Sequence, residues 1–97
     1  MTKEEYNLEL AAMRKRHIEE ISAMYLNYAL ANSKVELANI IESEGIRIQV
    51  DSIGYYMSVF NQYPICRYSG FMITKEGKAR KDLRRETIYQ NDSIKIL

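Results

Sequence analysis

The 97-residue chain is poor in the side chains that build disulfides, metal centres and catalytic dyads. Cys66 is its only cysteine, which excludes an intramolecular disulfide and a cysteine-based zinc site. With one histidine and three aspartates besides, the supply of metal ligands is thin. We therefore expect no metal and no cofactor. A lone unpaired cysteine also favours a reducing compartment, which indicates a cytoplasmic protein.

Long apolar runs and tryptophan are missing as well. No stretch approaches the ~18 apolar residues of a membrane span, and Met1–Tyr6 lacks the apolar run of a secretory signal. One proline and four glycines, with no low-complexity tract, predict a folded chain. The length predicts a single domain over residues 1–97. The lack of a long apolar run predicts no membrane partner.

Charge is divided unevenly between the two halves of the chain. Residues 1–44 contain five Lys or Arg and eight Glu, whereas residues 45–97 contain nine Lys or Arg and five Asp or Glu. The net charge of +1 gives no sign of a protein that coats polyanions with its whole surface. The excess of positive charge is therefore local and lies in the C-terminal part of the chain.

Residues 3–31 have the pattern of one amphipathic helix, inside a helical segment 1–32. Thr2 is a plausible N-cap, and Asn32 is the predicted stop in a left-handed conformation. Apolar positions recur at steps of three and four residues, the period of a helix face. They are Tyr6, Leu10, Met13, His17, Ile21, Met24 and Tyr28. The first five (Tyr6, Leu10, Met13, His17 and Ile21) are the candidate interface and are called the helix stripe.

The predicted helix is longer than the body on which it would pack. Twenty-nine residues at 1.5 Å each span roughly 43 Å, whereas a compact domain of this size is about 30–35 Å across. The C-terminal half should enter the structure and the N-terminal half should project, leaving the helix stripe uncovered. We expect a homo-oligomer assembled through this stripe; the alternative is a monomer with a bent or frayed helix.

The remaining residues predict a small β-domain over 38–97. Residues 34–43 are either helix or strand, and the sequence leaves both open. Ser33–Glu36 matches a capping box that would start a second helix. Ser43–Gly45 indicates a tight turn, and after it Ile46, Ile48 and Val50 alternate as in a half-buried strand. That strand is expected to continue to Phe60, with a bulge or bend at Gly54. Further strands are predicted over 65–74, 86–89 and 93–97, separated by turns at 61–64, 75–78 and 90–92.

With a short strand at Ile40 and Ile41, these segments make five strands, of which the two long ones have a glycine near the middle. Such a set favours a closed antiparallel barrel, since closure removes exposed edges. Their order resembles the SH3-like barrel, so the expected fold class is α+β, with a long N-terminal helix and a five-stranded SH3-like antiparallel barrel. The runs 45–50, 63–70, 74–78 and 88–91, preceded by a helix, look like small uncharacterised proteins of bacteriophages and mobile elements. This resemblance implies a phage-type accessory or anti-defence protein and supplies no catalytic residue.

Catalysis finds little support in the residues themselves. His17 lies between Met13 and Ile21 on the helix stripe, and Cys66 lies beside Ile65 in a predicted strand. Nothing in their spacing brings them together as a base and a nucleophile. We therefore predict that the protein is not an enzyme.

A basic segment over 75–85 is the strongest local charge feature. Such segments bind phosphates, and neighbouring aromatic strands can stack bases. The competing interpretations are a solvated loop and a contact to an acidic protein. The candidate residues are Lys75, Lys78, Arg80, Lys81, Arg84 and Arg85, called the basic loop, with Tyr55, Tyr56, Tyr68 and Tyr89 as the aromatic set.

Two functional hypotheses follow. The first is a non-enzymatic protein-binding accessory protein of phage type, which inhibits a host nucleic-acid-handling or defence protein. The second is a nucleic-acid-binding SH3-like module that uses the basic loop and surface tyrosines.

Overall fold

The computed structural model describes residues 1–58, 60 and 62–97. These residues form one helix followed by a five-stranded antiparallel sheet, so the predicted α+β class is confirmed. Helix α1 spans Lys3–Ala31. The strands are β1 (Ile40–Ser43), β2 (Ile46–Tyr56), β3 (Ile65–Met72), β4 (Arg85–Tyr89) and β5 (Lys95–Ile96).

Helix α1 has the predicted bounds. The Thr2 side chain accepts a hydrogen bond from the Glu5 backbone N–H at 3.1 Å, as an N-cap does. Asn32 ends the helix, but at φ −103° it is not left-handed as predicted. Its side-chain amide donates instead to the Tyr28 carbonyl at 2.9 Å, which satisfies a terminal carbonyl without a change of backbone region.

The molecule is elongated because only the C-terminal half of α1 packs on the sheet. Its extents are 64 × 30 × 20 Å, and its radius of gyration is 18.2 Å, whereas a compact chain of this length would have about 12–13 Å. Residues 3–20 are exposed apart from the partly covered Leu10, and burial begins at Ile21. The prediction of a projecting N-terminal half is confirmed.

The connection after the helix has no helical residues and turns at Leu37 and Ala38, so the alternative of a second helix over 34–43 is wrong. Ser33 does not cap a helix: its hydroxyl accepts from the Val35 N–H and donates to the Val35 carbonyl. The same oxygen lies 2.6 Å from the Tyr68 hydroxyl, and because its own proton is committed, Tyr68 is the donor. Residues 40–43 then form strand β1.

The strand order is β4-β3-β2-β1-β5, and the sheet is open. Strands β1 and β2 form a hairpin over Glu44 and Gly45, both with positive φ, which confirms the predicted turn. The predicted closed barrel is wrong for this sheet. Strand β5 has only two residues, and both pair with β1, so it does not extend to β4 at the opposite edge.

The sheet bends within β2, although not where the sequence predicted. The register between β2 and β3 shifts between Val50 and Ser52, which places the bulge three residues before Gly54. Gly70 pairs with Val50 beside this bulge. A Cβ on Gly70 would lie 1.9 Å from the Gln49 carbonyl oxygen, so this close approach requires glycine.

Strand β2 ends at Tyr56, so its predicted continuation to Phe60 is too long. The part of that prediction that falls on Val59, and the start of the predicted turn at Asn61, lie outside the described residues.

One face of the sheet, together with α1 and the 33–39 connection, encloses the core. Alternate residues of β2 and β3 point into it, as the two-residue period of a strand requires. The buried cluster consists of Ala29, Val35, Ile41, Ile48, Val50, Cys66, Tyr68 and Ile88.

Candidate functional site

The helix stripe lies largely in solvent. Tyr6 is 56% exposed and Met13 is 62% exposed, and His17 between Met13 and Ile21 is exposed as well. Leu10 and Ile21 are partly covered. The apolar pattern continues beyond the stripe with Met24, which is 60% exposed. The stripe is therefore an uncovered apolar surface along the projecting half of α1.

A different face of α1 holds the helix on the sheet. Ala29 is buried against the core, and Tyr25 packs edge-on against Tyr55 of β2, with ring centroids 5.7 Å apart. The Tyr55 hydroxyl donates a hydrogen bond to the Ser22 hydroxyl at 3.1 Å. Tyr55, predicted as a binding aromatic, therefore anchors the helix.

Each arginine of the basic loop pairs with an acidic neighbour. Arg80 lies 3.0 Å from Asp82, Arg84 lies 2.8 Å from Glu86, and Arg85 lies 2.7 Å from Asp51. The first two acids come from within or just beyond the loop sequence, whereas Asp51 comes from β2. These pairings reduce the positive charge that the arginines offer to a ligand.

The pair formed by Arg85 and Asp51 has the strongest geometry of the three. Both guanidinium Nη atoms contact the carboxylate oxygens at 2.7 Å, and the guanidinium carbon lies 4.7 Å from the centre of the Phe71 ring. Hydrogen bonding to Arg85 lowers the pKa of Asp51, and the same bonds raise the pKa of Arg85. Arg85 belongs to β4 and Asp51 to β2, so this pair links two strands of the sheet across β3.

The lysines of the basic loop are the charges that remain available. Lys75, Lys78 and Lys81 are exposed, and within the described residues none of them takes part in an ion pair. Backbone bonds fold the loop back onto β3, since the Arg80 N–H donates to the Met72 carbonyl at 3.2 Å. The three lysines therefore project from a loop that is held in place.

The four predicted tyrosines separate into three environments. Tyr68 is 1% exposed and belongs to the core, so its assignment as a surface residue is wrong. Burial is also the main cause that raises its pKa. Tyr56 of β2 and Tyr89 of β4 face outwards and meet edge-on, with ring centroids 5.0 Å apart. Of the predicted set, Tyr56 and Tyr89 are the pair that the structure brings together.

The sheet face opposite the core carries a site that sequence reasoning missed. Arg67 of β3 is exposed on this outer face, and its guanidinium lies over Gly54, 3.4 Å from the position of a Cβ there. The signal was present in the alternation of β3, whose residues 67, 69 and 71 share one face. The outer face consists of Tyr56, Arg67, Ser69, Phe71, Arg85, Thr87 and Tyr89.

A groove joins this outer face to the basic loop. It has a volume of about 430 Å³ and is lined by Gln49, Asp51 and Phe71 on the sheet, and by Gly77 and Ala79 on the loop side. The groove therefore places Phe71 of the outer face next to Gly77 and Ala79, the two neighbours of Lys78 in the sequence.

His17 and Cys66 do not form a site together. His17 is exposed on the projecting half of α1, whereas Cys66 is buried in β3. Over residues 1–58, 60 and 62–97, no three His, Cys, Asp or Glu side chains come close enough to hold a metal ion.

Comparison with models of protein families, with curated proteins and with solved structures finds no match to this chain. None of the described helical residues forms a helix with the length and apolarity needed to cross a membrane.

Proposed function

We propose that the protein is a non-enzymatic, protein-binding accessory protein that assembles through α1. The observation that carries this proposal is the helix stripe, in which Tyr6 and Met13 remain more than half exposed. An apolar surface of this kind in water favours contact with another protein surface. The sheet supports the role of a scaffold that holds the base of the helix.

The phage-type assignment rests on the resemblance of the sequence, and inhibition of a host defence or nucleic-acid-handling protein is the activity it implies. The strand order β4-β3-β2-β1-β5, with a bulge in the long strand β2, supports a likeness to an opened SH3-like barrel. A cytoplasmic location fits a buried free Cys66.

Sedimentation equilibrium at micromolar concentration tests the assembly. A mass above 11.4 kDa that returns to the monomer value in Met13→Glu supports it. Leu37→Glu is the matched control, because Leu37 is equally exposed but lies outside the helix. A strictly monomeric wild-type protein refutes assembly through α1.

A second candidate function, binding of single-stranded nucleic acid, is favoured by the outer face and its groove. Tyr56 and Tyr89 offer rings for stacking, and Arg67 lies beside them. Lys78 and Lys81 supply charge for phosphates along the loop.

The salt dependence of binding to a fluorescein-labelled 15-nucleotide oligothymidylate tests this candidate. The double variant Lys78→Ala, Lys81→Ala should reduce the slope of log affinity against log salt by about 1.4, since each single-strand phosphate contact contributes about 0.7. Arg84→Ala is the control and should change the slope less, because Arg84 is paired with Glu86. An equal reduction in both variants, or no binding, would contradict the assignment.

A pull-down from bacterial lysate, with and without nuclease, separates the two functions. Protein bands that survive nuclease support a direct protein partner. Bands that vanish with nuclease support the nucleic-acid function.

A further inference from the structure

We propose that α1 pairs with α1 of a second copy in an antiparallel arrangement, with the two-fold axis beside His17. This inference rests on the proposed assembly through the helix and specifies its geometry. In this arrangement the helix stripe of one copy, together with Met24 and Tyr28, contacts the same residues of the other copy.

The spacing of the apolar residues is the first observation. The seven positions 6, 10, 13, 17, 21, 24 and 28 are separated by 4, 3, 4, 4, 3 and 4 residues, a series that reads the same in both directions about residue 17. An antiparallel copy with its axis at His17 therefore places Tyr6 opposite Tyr28, Leu10 opposite Met24, and Met13 opposite Ile21. Each of these six apolar side chains then meets another one, whereas the exposed Leu8 and Ile18 lie on other faces of α1.

The face that carries these residues is mostly exposed in both halves of α1, with partial cover at Leu10 and Ile21. Met24 is 60% exposed and Tyr28 is 43% exposed, although both lie in the half of α1 that packs on the sheet. Helix α1 contacts the sheet through Ser22, Tyr25 and Ala29. Ala29 lies about 100° around the helix from Tyr28. A second helix can therefore cover the stripe without displacing the sheet.

Charge distribution favours the antiparallel direction. The helix has a basic run at residues 14–16, followed by the acidic pair Glu19 and Glu20. With the axis at residue 17, the basic run of one copy lies opposite the acidic pair of the other, and Arg16 and Glu20 share one flank of the stripe. A parallel pair in register would instead bring like charges together. Among the described residues, no ion pair within the chain involves α1.

The ends of the stripe are complementary as well. At its C-terminal end the Tyr28 ring stacks on Tyr63, which precedes β3, with centroids 5.6 Å apart. Both rings are exposed. In the antiparallel pair, Tyr6 of the second copy arrives at this stacked pair, where aromatic contacts add to the burial of apolar area.

Disulfide trapping in a glutathione redox buffer tests the arrangement on the full chain, with wild type as the baseline because its Cys66 is buried. His17→Cys should give a covalent dimer on a non-reducing gel. Met13→Cys alone should not, because the two introduced residues are about 12 Å apart along the axis, beyond the ~7 Å that a disulfide spans. The double variant Met13→Cys, Ile21→Cys should again form the dimer, whereas Lys15→Cys on the opposite side of the helix should not.

A charge exchange on the exposed face of α1 gives a second readout. Arg16→Glu should raise the dimer dissociation constant on the order of tenfold, and adding Glu20→Arg should restore it. The mass is measured by sedimentation equilibrium.

The outcomes separate this inference from the assembly on which it rests. Crosslinking of Met13→Cys as efficient as that of His17→Cys would overturn the antiparallel arrangement in favour of a parallel one. A wild-type dimer by sedimentation with no crosslink at position 17 would overturn the axis and leave the assembly standing. A strictly monomeric wild type would overturn both.

Discussion

Replacement of Gly70 by alanine should force β2 and β3 apart beside the bulge and destabilise the sheet. Gly70 lies in β3 opposite Val50, where β3 passes against the backbone of β2. An added Cβ would lie 1.9 Å from the Gln49 carbonyl oxygen and 2.7 Å from its carbon. Both atoms belong to the backbone, so a side-chain rotation cannot relieve the contact.

The size of the effect follows from the distance by which the strands must separate. Ordinary contact needs about 3.4 Å, so the strands must move apart locally by about 1.5 Å. That displacement stretches neighbouring N–H···O bonds well beyond 3.2 Å. Loss of two such bonds costs about 1–3 kcal/mol, and overpacking adds about 1–3 kcal/mol. We expect a loss of about 2–6 kcal/mol from a total that is about 5–15 kcal/mol for a single domain.

Urea unfolding followed by tyrosine fluorescence and far-ultraviolet circular dichroism measures this loss. The matched control is Gly54→Ala, where the added Cβ meets only the end of the Arg67 side chain at 3.4 Å. Glycine is unfavourable in a strand interior, so the control should be neutral or more stable by up to about 1 kcal/mol. A Gly70→Ala protein within 1 kcal/mol of wild type would refute the close-approach argument.

Three further variants test individual interactions. The Gln90 side-chain oxygen accepts from the Cys66 N–H at 2.8 Å, so Gln90→Met should cost about 1–3 kcal/mol in urea unfolding and accelerate hydrogen exchange at the Cys66 amide. Tyr68→Phe removes a buried hydrogen bond worth about 1 kcal/mol. Because the folded state raises the pKa of Tyr68, the unfolded chain ionises first, and the gap between the two proteins should narrow as the pH rises above 10. Asp51→Asn removes the carboxylate whose pKa Arg85 lowers; the stability from this pair is present above pH 3.8 and lost below it. Acid titration should therefore show the gap between wild type and Asp51→Asn closing from pH 5 to pH 2, and a constant gap would contradict the pairing.

The parts of the fold governed by local patterns could be predicted from the sequence. The bounds of α1 follow from an apolar period of three and four residues and from the Thr2 cap. The Glu44–Gly45 hairpin follows from turn chemistry, since both residues take a positive φ. These features depend on interactions between residues that are neighbours in the chain.

Long-range pairing could not be predicted in the same way. Whether β5 closes a barrel depends on how far two residues at the end of the chain extend across the sheet, which no local pattern encodes. The pairing of Arg85 with Asp51 could not be predicted for the same reason, because the two residues are 34 positions apart in the sequence. The burial of Tyr68 could have been predicted, because in the alternation of β3 it points to the same side as Cys66 and Gly70.

The projecting half of α1 has a thermodynamic consequence. Helix segments of this length that lack tertiary contacts are only marginally stable in water, because helix nucleation is unfavourable and packing normally supplies the stabilisation. Residues 3–20 have no such packing within one chain, apart from partial cover at Leu10. In the proposed dimer, folding of this segment and association of the two chains would share one equilibrium. The helical content would then depend on protein concentration, and dilution below the dissociation constant would unwind the end of the helix as it separates the chains.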